Sequence, residues 1–101
     1  MNQTFTDIIN SNKPVLVDFY ADWCGPCRTM KPILDEVKQK VGDKARIIKI
    51  NVDTNPATAQ AYHVTGIPAL LIFKNGNMIW RQAGVVPAHQ LVHQLEKIIE
   101  Q

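Results

Sequence analysis

An α/β fold, with a mixed sheet and helices on both faces, is what this sequence predicts, and three observations predict it. Val15–Tyr20 is a nearly continuous apolar run, the pattern of a strand covered on both faces as in parallel sheets. Helix-like and strand-like segments alternate through most of the chain, which is the order of an α/β domain. Asn75-Gly76 joins the last two strand-like segments and is the strongest short-range hairpin signal, so one antiparallel pair belongs to the sheet as well.

The size and composition agree. A chain of 101 residues makes one domain, spanning 1–101. Hydrophobic residues are 46% and charged residues 20%, which excludes disorder. The formal net charge of +2 is too weak a field to point to nucleic acid. The longest apolar runs, such as Ile67–Phe73, fall far short of the roughly 20 residues that cross a bilayer, so no membrane partner is expected. Met1–Phe5 holds no basic stretch leading into an apolar one, so no signal peptide is visible and a cytoplasmic protein is expected.

Taken in order, Thr4 is placed to cap a short helix, with Asp7 completing a capping box and Phe5, Ile8 and Ile9 on one face. Asn10–Pro14 stops it. The strand Val15–Tyr20 follows, then a turn through Ala21–Cys27. A helix to about Val41 carries Met30, Ile33, Leu34, Val37 and Val41 at helical spacing. Pro32 inside it predicts a kink, and Gly42 ends it. Arg46–Val52 is a strand, Asn55–Tyr62 a short helix opened by Pro56, and Ala69–Lys74 and Asn77–Ala83 form the hairpin. Trp80 reads as sheet packing. A last helix from about Pro87 turns Leu91, Val92, Leu95, Ile98 and Ile99 to the core.

Two cysteines are too few for a disulfide scaffold, and a chain of this size buries enough core without one. Cys24 and Cys27 stand at C-x-x-C spacing between a buried-type strand and a helix start. A helix N-terminus offers free N–H groups and partial positive charge, which stabilise a thiolate. Cys24 is therefore the expected nucleophile, with Arg28 as a nearby cation, and Cys27, one turn in, is expected to be more buried and less acidic. Pro26 stiffens the turn. A purely structural disulfide would close too short a loop to constrain the unfolded chain much. His89 and His93 complete a formal C-x2-C…H-x3-H pattern, but the gap before His89 far exceeds the about 12–15 residues of a zinc finger. Both histidines, and His63, read as surface residues, and no metal is expected.

The segment Asp18-Phe19-Tyr20-Ala21-Asp22-Trp23-Cys24-Gly25-Pro26-Cys27 resembles the active site of the thioredoxin family. Lys49-x-Asn51-Val52-Asp53, Gly66-Ile67-Pro68, Phe73-Lys74-Asn75-Gly76 and Gly84 resemble further family segments, in order along nearly the whole chain. Tyr20 stands where many members have Trp, and Ala69 follows Pro68 where Thr is common.

The resemblance implies a thioredoxin fold and a protein-disulfide reductase working through a reversible Cys24–Cys27 disulfide, with Cys27 resolving. It implies a buried Asp18 that moves protons for Cys27, and Lys49 as partner of that acid. It implies a cis Ile67-Pro68 peptide. Trp23, Gly25, Pro26, Ile67, Pro68, Gly84 and Val85 would then frame Cys24 for an extended substrate chain. The chain holds no G-x-G-x-x-G, so no flavin or nicotinamide cofactor is expected, and a separate thioredoxin reductase would recharge it. The expected partners are that reductase and disulfide-containing proteins, with the chain itself a monomer. Two other roles share the fold: an oxidase or isomerase, which usually has His between the cysteines where Gly25-Pro26 stands here, and a non-catalytic bound subunit. In the family a first strand borders the one matching Arg46–Val52, whereas Met1–Gln3 alone precede Thr4. Four strands are therefore expected, with Arg46–Val52 an exposed edge guarded by Lys44, Arg46 and Lys49.

Overall fold

A computed structural model describes residues 4–100. Its elements are α1 (Phe5–Ile9), β1 (Val15–Tyr20), α2 (Gly25–Val41), a 3-10 turn (Gly42–Lys44), β2 (Arg46–Asn51), α3 (Pro56–Ala61), β3 (Ala69–Lys74), β4 (Asn77–Ala83) and α4 (Ala88–Ile99). The sheet order is β2-β1-β3-β4, with β1 parallel to β2 and both other pairs antiparallel. Among the described residues the sheet therefore has four strands, with β2 at one edge and β4 at the other.

The start of the chain behaves as its residue types dictate. The Thr4 hydroxyl accepts the Asp7 N–H at 3.1 Å, and the Asp7 carboxylate accepts the Thr4 N–H at 3.4 Å. At the hairpin Asn75 and Gly76 take φ 52° and 82°, the left-handed pair that a tight two-residue turn needs. Pro32 is accommodated within α2, and Gly42 at φ 57° ends it. Three ends differ from expectation by one residue. Val52 leaves β2, though its N–H still donates to the Tyr20 carbonyl at 2.9 Å. Asn55 and Tyr62 flank α3 as caps rather than as helical residues.

Alternation along β1 divides the core into two layers. Leu16 joins Leu70 and Ile72 under α2 and α4, against Met30, Leu34, Leu91 and Leu95, with Trp80 packed at the margin. Val15, Val17 and Phe19 join Leu71 and Phe73 under α1 and α3. The uninterrupted apolar run of β1 follows from serving both layers. Asp18 shares the α2 face with Leu16, and it is the one charged residue buried in either layer among the described residues.

Candidate active site

β1 ends at Tyr20, and the chain turns through Ala21–Trp23 to begin α2 at Gly25. Cys24 is the N-cap of that helix, in extended conformation, and its Sγ accepts the Cys27 N–H at 3.2 Å. A capping position normally held by Ser, Thr or Asp thus holds sulfur, which accepts one of the helix amides that have no partner within the helix. Cys24 and Cys27 are joined as a disulfide, with Cα atoms 5.3 Å apart. The expected order of burial is corrected here: Cys24 is 3% exposed and Cys27 6%. Cys24 lies under the loop before β3, its Sγ 3.8 Å from the Ile67 carbonyl oxygen, and that cover outweighs its position at the helix end.

Around the cysteines stands a rim. Trp23 is 69% exposed and Val85 41%, both unusual for large apolar side chains that pack in a core. The Ile67-Pro68 peptide is cis, with Ile67 half-buried and Pro68 buried. The Gly84 N–H donates to the Pro68 carbonyl at 2.8 Å, and its φ of 92° is one that a side chain would strain. Gly25 and Pro26 are exposed beside the disulfide.

Asp18 is the anomaly of the interior. It is 1% exposed, and neither carboxylate oxygen has a hydrogen-bond partner. Burial pushes its pKa up to about 6, opposed by the positive charge of Lys49. Lys49 is the register partner of Asp18 on β2. Its side chain is exposed, with the ammonium 4.7 Å from the centre of the Tyr20 ring. Lys49 therefore acts on Asp18 through its field and not through a hydrogen bond.

One residue of the site carries no signal in spacing. The Trp23 indole Nε1–H donates to the Asp53 carboxylate at 2.9 Å, and the Asp53 N–H donates to the Asn51 side-chain oxygen at 2.8 Å. The parallel register sets Tyr20 beside Asn51, so the residues just past each strand end meet. Arg28 reaches back to the Asp22 carbonyl at 3.5 Å. His63, His89 and His93 are exposed, and no cluster of three or more metal-binding side chains occurs among the described residues. No helix among them is long and apolar enough to cross a membrane.

A paired C-x-x-C at a helix N-terminus, inside an apolar rim and following a strand that buries a carboxylate, defines a thiol–disulfide oxidoreductase whose redox couple is its own dithiol. The family model for thioredoxin matches residues 1–97, and the chain belongs to that family. It is similar to a thioredoxin of Synechocystis sp., 45% identical over 92% of this chain and 87% of the relative. It is also similar to the chloroplastic thioredoxin Y of Oryza sativa, 46% identical over 97% of this chain but 61% of that relative's length. Among solved structures, a mutant thioredoxin from Halobacterium salinarum NRC-1 superposes with a TM-score of 0.86 at 35% identity, covering 98% of this chain and 88% of that one.

Proposed function

We propose that this chain reduces disulfides in other proteins, with Cys24 as nucleophile and Cys27 as resolving thiol. The observation that carries the assignment is the placement of Cys24 as N-cap of α2, receiving the Cys27 N–H. In the reduced protein that amide and the helix dipole favour the Cys24 thiolate. The thiolate attacks one sulfur of a substrate disulfide, and the other substrate sulfur leaves as a thiolate that takes up a proton. Cys27 then loses its proton and attacks Cys24, which expels the second substrate thiol. Two electrons have moved from the dithiol to the substrate, leaving the Cys24–Cys27 disulfide.

Asp18, on the sheet face that α2 covers, is our acceptor for the Cys27 proton, because a carboxyl with a pKa of about 6 takes and returns protons near neutrality. Lys49 keeps that pKa from rising further. Trp23, Ile67, Pro68, Gly84 and Val85 supply an apolar seat with backbone groups at its edge, and Gly25 and Pro26 leave the approach open. A separate thioredoxin reductase returns the electrons. The role suits a reducing compartment such as the cytoplasm, where thiols are kept reduced.

The test is insulin reduction with thioredoxin reductase and NADPH. Turnover by the intact chain, lost in Cys24→Ser and accompanied by trapped mixed disulfides in Cys27→Ser, supports the reading. Equal alkylation rates of the two thiols near neutral pH would overturn the assigned order.

A further inference from the structure

Three shallow depressions join end to end along the seam between β2 and α2. The first, about 510 Å³, is lined by Lys13, Lys38, Asp43, Arg46, Ile47 and neighbours. The second, about 220 Å³, shares Lys38 and Ile47 with it and adds Lys31, Asp35 and Lys49. The third, about 210 Å³, shares Lys31 and Lys49 and ends at Asp22, Arg28 and Cys27. The result is one trough from the 3-10 turn to the cysteine corner.

Its charge is uneven. Lys13, Arg28, Lys31, Lys38, Arg46 and Lys49 line it against Asp22, Asp35 and Asp43. This excess exceeds the +2 of the entire chain, so positive charge is concentrated along the trough, from α2 on one side and β2 on the other.

The backbone beside the trough is open. The Arg46 and Val52 N–H groups donate to the Pro14 and Tyr20 carbonyls on the β1 side. By the two-residue period, Ile47 and Lys49 turn their N–H and C=O groups the other way. Among the described residues β2 pairs with β1 alone. A row of unpaired strand groups is a template for an added strand.

We propose that the β2 edge docks an extended, acidic segment of a partner protein. The segment adds as a further strand on Ile47 and Lys49 and sets its carboxylates against the trough cations. A second copy of this chain fits poorly, because β2 beside β2 brings Arg46 and Lys49 against their own charge. A nucleic acid would meet the cations but leave the strand amides and the half-buried Ile47 and Ile48 unsatisfied. The proposal is independent of the disulfide chemistry, since no step of it uses a thiol.

The test titrates the oxidised protein with an acetylated decapeptide of alternating Glu and Val. Binding should protect the Ile47 and Lys49 amides from exchange and weaken as salt rises. The same peptide with alternate amides N-methylated keeps every charge and should bind about tenfold more weakly, the effect of two lost hydrogen bonds. Lys38→Glu combined with Arg46→Glu should also cost about tenfold or more. Insulin reduction by that variant should be unchanged. Equal binding of the N-methylated peptide, or no protection of β2, would reduce the edge to an ion exchanger and overturn the proposal. So would absence of binding, a dimer that buries β2 in sedimentation, or tighter binding of an oligonucleotide than of the peptide.

Discussion

The layer beneath α1 and α3 and the corner around Cys24 lie on the same sheet and obey opposite rules. In the layer, Phe5, Tyr62 and Phe73 meet edge to face at centroid distances of 5.1, 5.7 and 5.3 Å, over buried Val15, Val17 and Leu71. In the corner, a carboxyl is buried without a partner, a tryptophan is mostly exposed, and sulfur caps a helix. The layer contributes stability, whereas the corner sacrifices it for reactivity. Local rules broken together in one place mark chemistry more surely than any one of them does.

Substitutions in the two regions should cause opposite losses. Cys24→Ser should abolish disulfide reduction while leaving the melting of the reduced protein nearly unchanged. Phe73→Ala should cost about 3–5 kcal/mol of stability and leave the activity of the folded fraction near normal. Urea unfolding and insulin turnover of both variants check this. A Phe73→Ala protein that is stable but inactive would merge the two regions into one.

Asp18→Asn tests the cost carried by the corner. The folded-state pKa lies near 6, above the ordinary 3.8. The native state therefore holds this proton more tightly than the unfolded chain, so the stability penalty is absent below about pH 4 and grows as pH rises to about 6. A shift of this size is about 3 kcal/mol. The replacing amide stays buried without partners, so the net gain above pH 6 should be about 1–3 kcal/mol. Disulfide exchange should slow. Unfolding of the oxidised proteins between pH 4 and 7.5 reads the difference, and a variant less stable than the parent at pH 7.5 would show Asp18 to be satisfied rather than stranded.

The elements were legible where one residue pattern serves one environment. β1 and β3 are buried on both faces and read as continuous apolar runs, and Asn75-Gly76 could take few other conformations. Asp18 was legible through the family resemblance of the segment it opens, and an acid within such an apolar run agrees with it. The order of cysteine burial was not, since it depends on the Ile67 loop closing over Cys24 from 43 residues away in sequence. Nor was the Trp23–Asp53 hydrogen bond, which exists because two parallel strands end side by side. Contacts of that kind belong to register, which no local pattern encodes.

Asp53→Ala acts at the rim of the corner. Removing the acceptor frees the exposed Trp23 indole from a fixed orientation, at the cost of one surface hydrogen bond. Stability should fall by about 0.5–1.5 kcal/mol at most. The Michaelis constant for protein substrates should rise a few-fold, about 1 kcal/mol of lost positioning, while thiol alkylation stays unchanged. If alkylation of Cys24 changes instead, Asp53 acts on the thiol and not on the rim.

The smallest expected effect decides what Lys49 does. Its ammonium lowers the Asp18 pKa across the β1–β2 pair while resting over the Tyr20 ring. Lys49→Met keeps most of the side-chain length and removes the charge. Without it the Asp18 titration should move to higher pH, and the penalty above neutrality should deepen. The lost ring contact adds about 0.5–1 kcal/mol of its own. The two contributions separate in a double-mutant cycle. In an Asp18→Asn background the substitution should cost the ring contact alone, with no dependence on pH between 5 and 8. Carbon NMR of the Asp18 carboxyl gives the titration directly. A midpoint that does not move when Lys49 is replaced would leave Asp18 with no electrostatic partner and confine Lys49 to the surface of the sheet.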